Sequence, residues 1–290
     1  MQQFVRAKTI LSRYKEADAW FHIKYSMNLY RGCQHQCIYC DSRSACYHIA
    51  NFEDILVKEN AIELLRAELR RIKEKDTIGT GSMNDPYMPA ERELELTRRA
   101  LTVIKEFGFP LHIITKSDMV LRDYQLIKDI GRVYATVSIT ITTADDALSA
   151  IIEPGAPVSS LRFEAVRKLS EGGVRAGILL MPVLPFVTDT EQNITSIIDK
   201  ARDAKAAYIL PAFGMTLRDK QRDYFFVKLG KMDKNVLAKY QKYYHGQYSF
   251  QSPAAHKLSA LFSALCKRYN IPTRIAPYQK PDNPQFTLFD

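Results

Sequence analysis

Residues 110–142, PLHIITKSDMVLRDYQLIKDIGRVYATVSITIT, contain one complete strand–helix–strand unit. The run LHIIT predicts a buried strand, RDYQLIKDIG predicts a short helix that ends at Gly131, and VYATVSITIT predicts a second strand rich in β-branched residues. A helical connection between two apolar strands is typical of parallel pairing, because parallel strands need a crossover. The unit therefore predicts an α/β fold with a parallel sheet.

The same alternation continues on both sides of this unit. Further strands are predicted at TIGTGS (77–82), VRAGILLMPVLP (174–185) and AYILPAF (207–213), with helical segments between them. Five or six such units, without a GxGxxG at the first strand–helix junction, favour a partial (β/α)6-type TIM barrel. The predicted organisation is a lead-in at 1–25, the partial barrel at 26–215, a helical C-terminal extension at 216–276 and an extended tail at 277–290.

Polar residues follow several predicted strands at the point where each strand ends. In a (β/α) barrel the loops after the strand C-termini carry the chemistry, so these residues are expected to converge on one site. The candidates at these positions are Gly81, Ser82, Asp85, Lys116 and Ser138, and Glu153, just before Pro154, is a further candidate.

Bulk composition narrows the class of protein. The net charge of +9, from 41 basic and 32 acidic residues, moderately favours an anionic partner such as nucleic acid. No apolar run approaches the roughly 20 residues that span a bilayer. The first 20 residues lack the apolar core of a signal peptide, so a cytoplasmic location and no membrane partner are expected.

Four of the five cysteines lie between positions 33 and 46. Cys33, Cys37 and Cys40 have the spacing C-x3-C-x2-C, and a compact three-thiolate loop can hold an iron–sulfur cluster with one iron left open. Structural zinc is the alternative, but it wants four ligands and would need Cys46, His35 or His48 to complete the set. On spacing alone both metals remain open, with iron–sulfur favoured.

The cysteine loop NLYRGCQHQCIYC (28–40) resembles the signature of the radical S-adenosylmethionine (SAM) superfamily, in its spore photoproduct lyase-like branch. DPYMPAE (85–91), ITKSDMVLRD (114–123) and EPGAP (153–157) resemble later blocks of that branch. The resemblance covers roughly residues 8–215.

The resemblance implies a cofactor pair and a reaction. Cys33, Cys37 and Cys40 would hold a 4Fe–4S cluster whose open iron is chelated by SAM, and one electron would yield a 5′-deoxyadenosyl radical that abstracts hydrogen. Lys116 and Ser138 occupy places where the branch contacts this cofactor, and Gly81, Ser82, Asp85 and Glu153 are further candidates for binding it. The implied partners are a nucleic acid, with DNA damage favoured, and an electron donor such as flavodoxin or ferredoxin.

The sequence departs from the branch at two places. The loop after the second strand lacks the hydrogen-donating cysteine and has Ser82 and Met83 instead, and Asp41 replaces a tyrosine directly after the third cysteine. Tyr39 and Cys46 are therefore the predicted catalytic residues, with Cys46 as a displaced hydrogen donor. The alternatives are a radical SAM enzyme acting on RNA, a small molecule or a peptide, and a zinc-stabilised adaptor for nucleic acid without enzymatic activity.

The tail contains QFTLF at 285–289, which resembles the peptide that DNA polymerases and repair proteins insert into the bacterial sliding clamp. A proline-rich arm presents two apolar side chains and an amide with little loss of conformational entropy. The tail therefore predicts clamp binding through Gln285, Leu288 and Phe289.

Overall fold

The protein is described by a computed structural model that covers residues 2–49 and 51–280. The strands are β1 (Gln2–Val5), β2 (Leu11–Arg13), β3 (Tyr25–Met27), β4 (Tyr30–Arg31), β5 (Ile55–Lys58), β6 (Ile78–Thr80), β7 (Leu111–Thr115), β8 (Ala135–Thr140), β9 (Arg175–Leu180), β10 (Ile209–Pro211), β11 (Gly214–Thr216) and β12 (Ser249–Gln251). The helices are α1 (Ala61–Arg71), α2 (Glu91–Leu94), α3 (Leu96–Phe107), α4 (Tyr124–Ile130), α5 (Asp146–Ile152), α6 (Ser159–Glu171), α7 (Glu191–Asp203), α8 (Asp219–Met232), α9 (Lys234–Tyr243) and α10 (Ala255–Arg268).

The main sheet has seven strands in the order β10-β9-β8-β7-β6-β3-β2. The six strands from β3 to β10 pair in parallel in chain order, and β2 joins the edge antiparallel to β3. Within the described residues β10 and β2 do not pair with each other, so the sheet stays open. The predicted partial barrel with parallel strands is confirmed.

Two smaller sheets flank the main one. Strands β1, β5 and β4 form the first, beside the cysteine loop, and β11 pairs with β12 to form the second. The boundaries predicted at 25, 215 and 276 remain predictions. The clamp motif at Gln285, Leu288 and Phe289 lies outside the described residues.

The structure differs from the sequence-based prediction in two local features. The helical segment between the strands predicted at 77–82 and 111–115 is divided into α2 and α3 at Glu95, where the buried Glu91 carboxylate accepts a hydrogen bond from the Thr97 backbone N–H. The extension predicted as helical at 216–276 contains strand β12 in addition to helices α8, α9 and α10. No helix among the described residues is long and apolar enough to cross a membrane.

The interior of the barrel contains a series of hydrogen bonds that links buried polar side chains. His112 on β7 donates from Nδ1 to the Phe21 carbonyl oxygen at 3.3 Å and accepts at Nε2 from the Ser138 hydroxyl at 2.7 Å. Ser138 also lies 2.8 Å from the Tyr208 hydroxyl, which is 2.8 Å from Thr136. These hydrogen bonds satisfy groups that would otherwise be costly to bury, provided that His112 is neutral.

The stability of the fold is expected to fall in mild acid through His112. Burial lowers the pKa of His112 from 6.5 to about 4, so the unfolded chain binds a proton first as the pH drops. The contribution of neutral His112 to the free energy of unfolding is fully present above pH 6.5 and is lost as the pH falls towards 4. The loss amounts to about 2 kcal/mol between pH 7 and pH 5. Urea unfolding of the parent and of His112→Gln at both pH values checks this.

The variant is expected to be less stable at pH 7 but to lose less stability between pH 7 and pH 5. Replacing the exposed His256 by glutamine provides the matched control, which should retain the pH dependence of the parent. An identical pH dependence in parent and His112→Gln would show that His112 is not buried in its neutral form.

Candidate functional site

The cysteine loop follows the first parallel strand at the C-terminal end of the sheet, where it closes over a cavity of about 100 Å³. The side chains that line this cavity come from the cysteine loop and from the ends of β6, β7 and β8. They are Cys33, His35, Cys37, Cys40, Ser42, Gly81, Ser82, Met83, Asn84, Asp85, Ile114, Thr115, Lys116 and Thr140. The arrangement unites the three cysteines with four of the six predicted cofactor-binding residues.

The three thiols of the motif share one environment. Cys33 and Cys37 are buried, Cys40 is partly buried, and none of the three is in a disulfide. Burial, together with the nearby charge of Asp85, raises the pKa of Cys33 to about 12, and burial also raises the pKa of Cys37. Since thiolates are the metal-binding form, metal binding here must displace protons.

The later sequence blocks hold the cysteine loop in place. The Ala90 backbone N–H donates to Gln34 Oε1 at 2.6 Å, and the Gly155 N–H donates to the His35 carbonyl oxygen at 2.9 Å. A Cβ atom at Gly155 would lie 2.1 Å from the Gln34 carbonyl oxygen, so only glycine permits this close approach. The blocks at 85–91 and 153–157 therefore shape the loop through backbone contacts.

The C-terminal extension holds the loop from its outer side. Asp41 accepts hydrogen bonds from Thr216 at 2.8 Å and from Arg218 at 2.5 Å. Asp219 accepts from the Ser44 hydroxyl at 2.9 Å and from the Ala45 N–H at 3.0 Å. The insert after the third cysteine therefore serves as the junction between loop and extension.

Asp85 ties three of the cavity walls together. Its carboxylate accepts from Thr115 Oγ1 and from the Lys116 N–H, both at 2.6 Å, and lies 3.2 Å from His35 Nδ1. Burial opposes its charge, but His35 and these donors outweigh burial and lower its pKa to about 2. The carboxylate is already engaged, so its contacts indicate that it positions the cysteine loop against the ends of β6 and β7.

Beneath the cavity lies a buried cluster of charges. The Tyr39 hydroxyl donates to Glu153, whose other carboxylate oxygen is 2.5 Å from Arg162 Nη1. Lys116 Nζ lies 5.7 Å from the centre of the Tyr39 ring. Burial opposes the charge on Lys116, but the charges of Cys37 and Glu153 outweigh it and raise its pKa, so the lysine presents a cation to the cavity.

The other two predicted cofactor-binding residues, Ser138 and Glu153, lie outside the cavity. Ser138 does not line the cavity, and the expectation that it ends its strand is wrong, because β8 continues to Thr140. The Ser138 hydroxyl instead takes part in the buried series of hydrogen bonds that includes His112. Glu153 is fully buried beneath Tyr39 and does not line the cavity either.

Cys46 also lies outside the cavity. It is exposed in the short turn Ala45–Tyr47, with Sγ 3.4 Å from Ser44 Oγ, and His48 beside it is exposed as well. Two of the three residues that could complete a zinc site, Cys46 and His48, thus lie away from the buried thiols. The third, His35, lines the cavity, so the zinc alternative depends on His35, whose Nδ1 lies 3.2 Å from Asp85.

Residues missed by sequence reasoning complete the walls. Thr140 lies two positions beyond Ser138, so the period-2 alternation of a strand already placed it on the same face. Gly81, in contrast, was predicted; it has φ +98°, and a Cβ atom there would lie 1.9 Å from the Ile114 carbonyl oxygen, so only glycine fits. Arg162, which contacts Glu153 and does not line the cavity, had no sequence signal, because it lies in the first turn of α6 and not at a strand end.

A larger cavity of about 420 Å³ lies at the open side of the sheet, between residues 19–22 and 273–275. It contains none of the predicted site residues, so volume alone does not identify the site. The cysteine cavity, at about 100 Å³, is smaller than the few hundred Å³ typical of ligand pockets.

The residues at the smaller cavity fit an iron–sulfur cluster with an adjacent amino-acid group. Among residues 2–49 and 51–280, no three His, Cys, Asp or Glu side chains converge as ligands of one metal ion. A 4Fe–4S cluster binds each thiolate through its own iron, so its ligands surround a volume instead of a point. Three clustered thiols and the Lys116 cation match this requirement, and the cation suits a carboxylate.

Fold and site together define an α/β protein with a partial parallel barrel and a three-thiol cavity at the C-terminal ends of its strands. Residues 27–196 match the model of the radical SAM superfamily. The chain therefore belongs to the radical SAM superfamily and is an enzyme of that class.

Two uncharacterized relatives show how far the similarity extends. A Mycobacterium tuberculosis protein is 28% identical over 248 residues, covering 83% of this chain and 72% of the relative. A Methanocaldococcus jannaschii protein is 36% identical over 174 residues, covering 59% of this chain and 64% of the relative.

Solved structures of spore photoproduct lyase share the fold. A mutant of that enzyme with a cysteine replaced by serine superposes with a TM-score of 0.67 at 15% sequence identity, covering 92% of this chain and 79% of that one. A double mutant with bound AdoMet and dinucleoside spore photoproduct gives a TM-score of 0.64 at 15% identity, covering 92% of this chain and 78% of that one.

Proposed function

We propose that this radical SAM enzyme holds a 4Fe–4S cluster through Cys33, Cys37 and Cys40 and acts on nucleic acid, with damaged DNA as the favoured substrate. The observation that carries the proposal is the cavity that places these three thiols beside Asp85 and Lys116. When bound, the cluster supplies one electron that cleaves SAM to methionine and a 5′-deoxyadenosyl radical able to abstract hydrogen.

The residues of the chain bind, orient and exclude water. The Lys116 cation is suited to the carboxylate of SAM, and the Gly81 turn brings backbone close to the cavity. Asp85 fixes the position of the cysteine loop relative to the ends of β6 and β7. Its carboxylate makes four contacts, with Tyr87, Thr115, Lys116 and His35. Burial of Cys33 and Cys37 excludes water from the place where the cluster would lie.

The roles of Tyr39 and Cys46 remain proposals. Tyr39 holds Glu153 beneath Lys116, which favours a positioning role for its hydroxyl. Cys46 would donate hydrogen only to a substrate that extends over the outer side of the cysteine loop. The cytoplasmic location, the flavodoxin or ferredoxin donor and the sliding-clamp contact stay predictions.

Anaerobic reconstitution tests the proposed function. We expect a brown protein with about four irons and four sulfides per chain, which forms 5′-deoxyadenosine and methionine when reduced with dithionite in the presence of SAM. A set of lesion-bearing oligonucleotides then identifies the substrate by mass spectrometry. A colourless protein that carries one zinc and leaves SAM intact would favour the zinc-stabilised adaptor.

A further inference from the structure

The excess positive charge of the chain is concentrated in one part. Residues 216–280 contain 13 of the 41 lysines and arginines but only three of the 32 acidic residues. Residues 1–215 contain 28 basic and 27 acidic residues and are almost neutral. The partial barrel therefore carries little net charge, and the extension is the cationic part of the molecule.

Four lysines on the α8–α9 hairpin, Lys231, Lys234, Lys239 and Lys242, form what we call the lysine surface. All four are exposed, and within the described part of the chain none of them has a carboxylate within 4.0 Å. Arg218 differs from them because it is paired with Asp41. Uncompensated lysines attract polyanions, since binding releases the counterions condensed on the polyanion.

Aromatic rings lie among these lysines. Lys242 Nζ is 5.5 Å from the centre of the Tyr243 ring, and Lys239 Nζ is 5.9 Å from the Phe186 ring. Tyr243 is 47% exposed, and Tyr248, whose ring centre lies 5.1 Å from the Arg218 guanidinium, is 57% exposed. Exposed aromatic rings that alternate with cations are typical of surfaces that bind single-stranded nucleic acid, where bases stack and phosphates pair.

The hairpin is anchored to the cysteine loop. In addition to the Asp219 contacts, Arg43 of the loop stacks 3.7 Å from the centre of the Tyr224 ring on α8. The inner side of the hairpin packs through Phe225, Leu229 and Tyr240 into the same apolar cluster as Cys37 and Tyr39. A polyanion held on the outer side is therefore held at the end of the barrel where the cavity lies.

We infer that the lysine surface and the exposed Tyr243 and Tyr248 bind the sugar–phosphate backbone and bases of single-stranded DNA outside the reacting nucleotide. This inference rests on the proposed function in that it names the part of the chain that holds the substrate. The ligand class follows from the charge and the rings, because lysines pair with phosphates and aromatic faces stack on bases regardless of sequence.

The test is fluorescence anisotropy with the reconstituted full chain and a labelled single-stranded DNA of about 20 nucleotides, over salt from about 50 to 200 mM. The variant carries Lys231→Gln, Lys234→Gln, Lys239→Gln and Lys242→Gln, which remove charge with little loss of helix propensity. Affinity is expected to fall at least about 10-fold, and the slope of log affinity against log salt should become shallower by about 3.

A matched control replaces four exposed lysines that precede the extension, Lys8, Lys15, Lys73 and Lys205, by glutamine. It removes the same number of charges, so it should lose much less affinity than the lysine-surface variant. Circular dichroism shows whether both variants fold, and iron content shows whether both bind the iron–sulfur cluster. Replacing Tyr243 and Tyr248 by leucine should weaken binding without changing the salt slope.

Each outcome bears on a separate statement. Equal losses in the two lysine variants would overturn the inference, as would a parent protein that binds anionic phospholipid vesicles more tightly than DNA. RNA that outcompetes DNA would overturn the choice of DNA. The proposed function fails separately, when the parent protein does not cleave SAM, because DNA binding is measured without reduction or turnover.

Discussion

The Cys37→Ala variant is expected to lose the cluster and, with it, all cleavage of SAM. Cys37 is buried at the centre of the three-thiol cavity, so its loss leaves two thiolates for a cluster that needs at least three protein ligands here. Iron should fall from about four per chain to a trace, and 5′-deoxyadenosine should fall to the background of the assay. Iron analysis, visible absorbance and product chromatography check this.

Cys46→Ala is the matched thiol control. Because Cys46 is exposed and outside the cavity, the iron content and the brown absorbance should match those of the parent. If Cys46→Ala loses the metal while Cys37→Ala keeps it, the ligand set proposed here is wrong and a site that includes Cys46 takes its place.

Arg162→Met is expected to lower the free energy of unfolding by about 3–5 kcal/mol, because it leaves a buried carboxylate without its cation. Arg162 and Glu153 are both fully buried, and Arg162 also donates to the carbonyl oxygens of Pro157 at 2.7 Å and Thr140 at 3.1 Å. Urea unfolding of the apoprotein measures the loss.

The same helix offers the control. Arg167 on α6 pairs with Glu164 and Glu171 at the surface, so Arg167→Met should cost less than about 1 kcal/mol. Adding Glu153→Gln to Arg162→Met removes the orphaned charge and should restore part of the stability. A cost for Arg162→Met no larger than that for Arg167→Met would show that the pair is solvated.

Much of the architecture was predictable because it depends on local periodicity. The strand–helix–strand unit at 110–142 gave β7, α4 and β8, and its repetition gave a parallel sheet in chain order. Helix α8 lies in the predicted helical extension, but its own apolar stripe is weak, and its buried side chains, Phe225 and Leu229, share an apolar cluster with the cysteine loop and with Ile152 and Leu184 of the barrel. A weak apolar stripe gives no signal until its partner is known.

The candidate site was partly predictable for the same reason. Residues directly after a strand, such as Gly81 and Lys116, reach the cavity because parallel strands end together at one edge. Ser138 failed this rule because the hydrogen-bond ladder of β8 continues for two more residues. Thr140 therefore takes the place that Ser138 was predicted to occupy at the strand end.

The sequence by itself determined the parallel order of the strands and the C-x3-C-x2-C spacing, since both lie in patterns a few residues long. Only the tertiary structure decided that Asp41 meets Arg218 across 177 positions, that Arg162 is buried against Glu153 and that Cys46 points away from the other thiols. The physical reason is that long-range ion pairs and burial depend on which surfaces pack together, and local periodicity does not specify that packing.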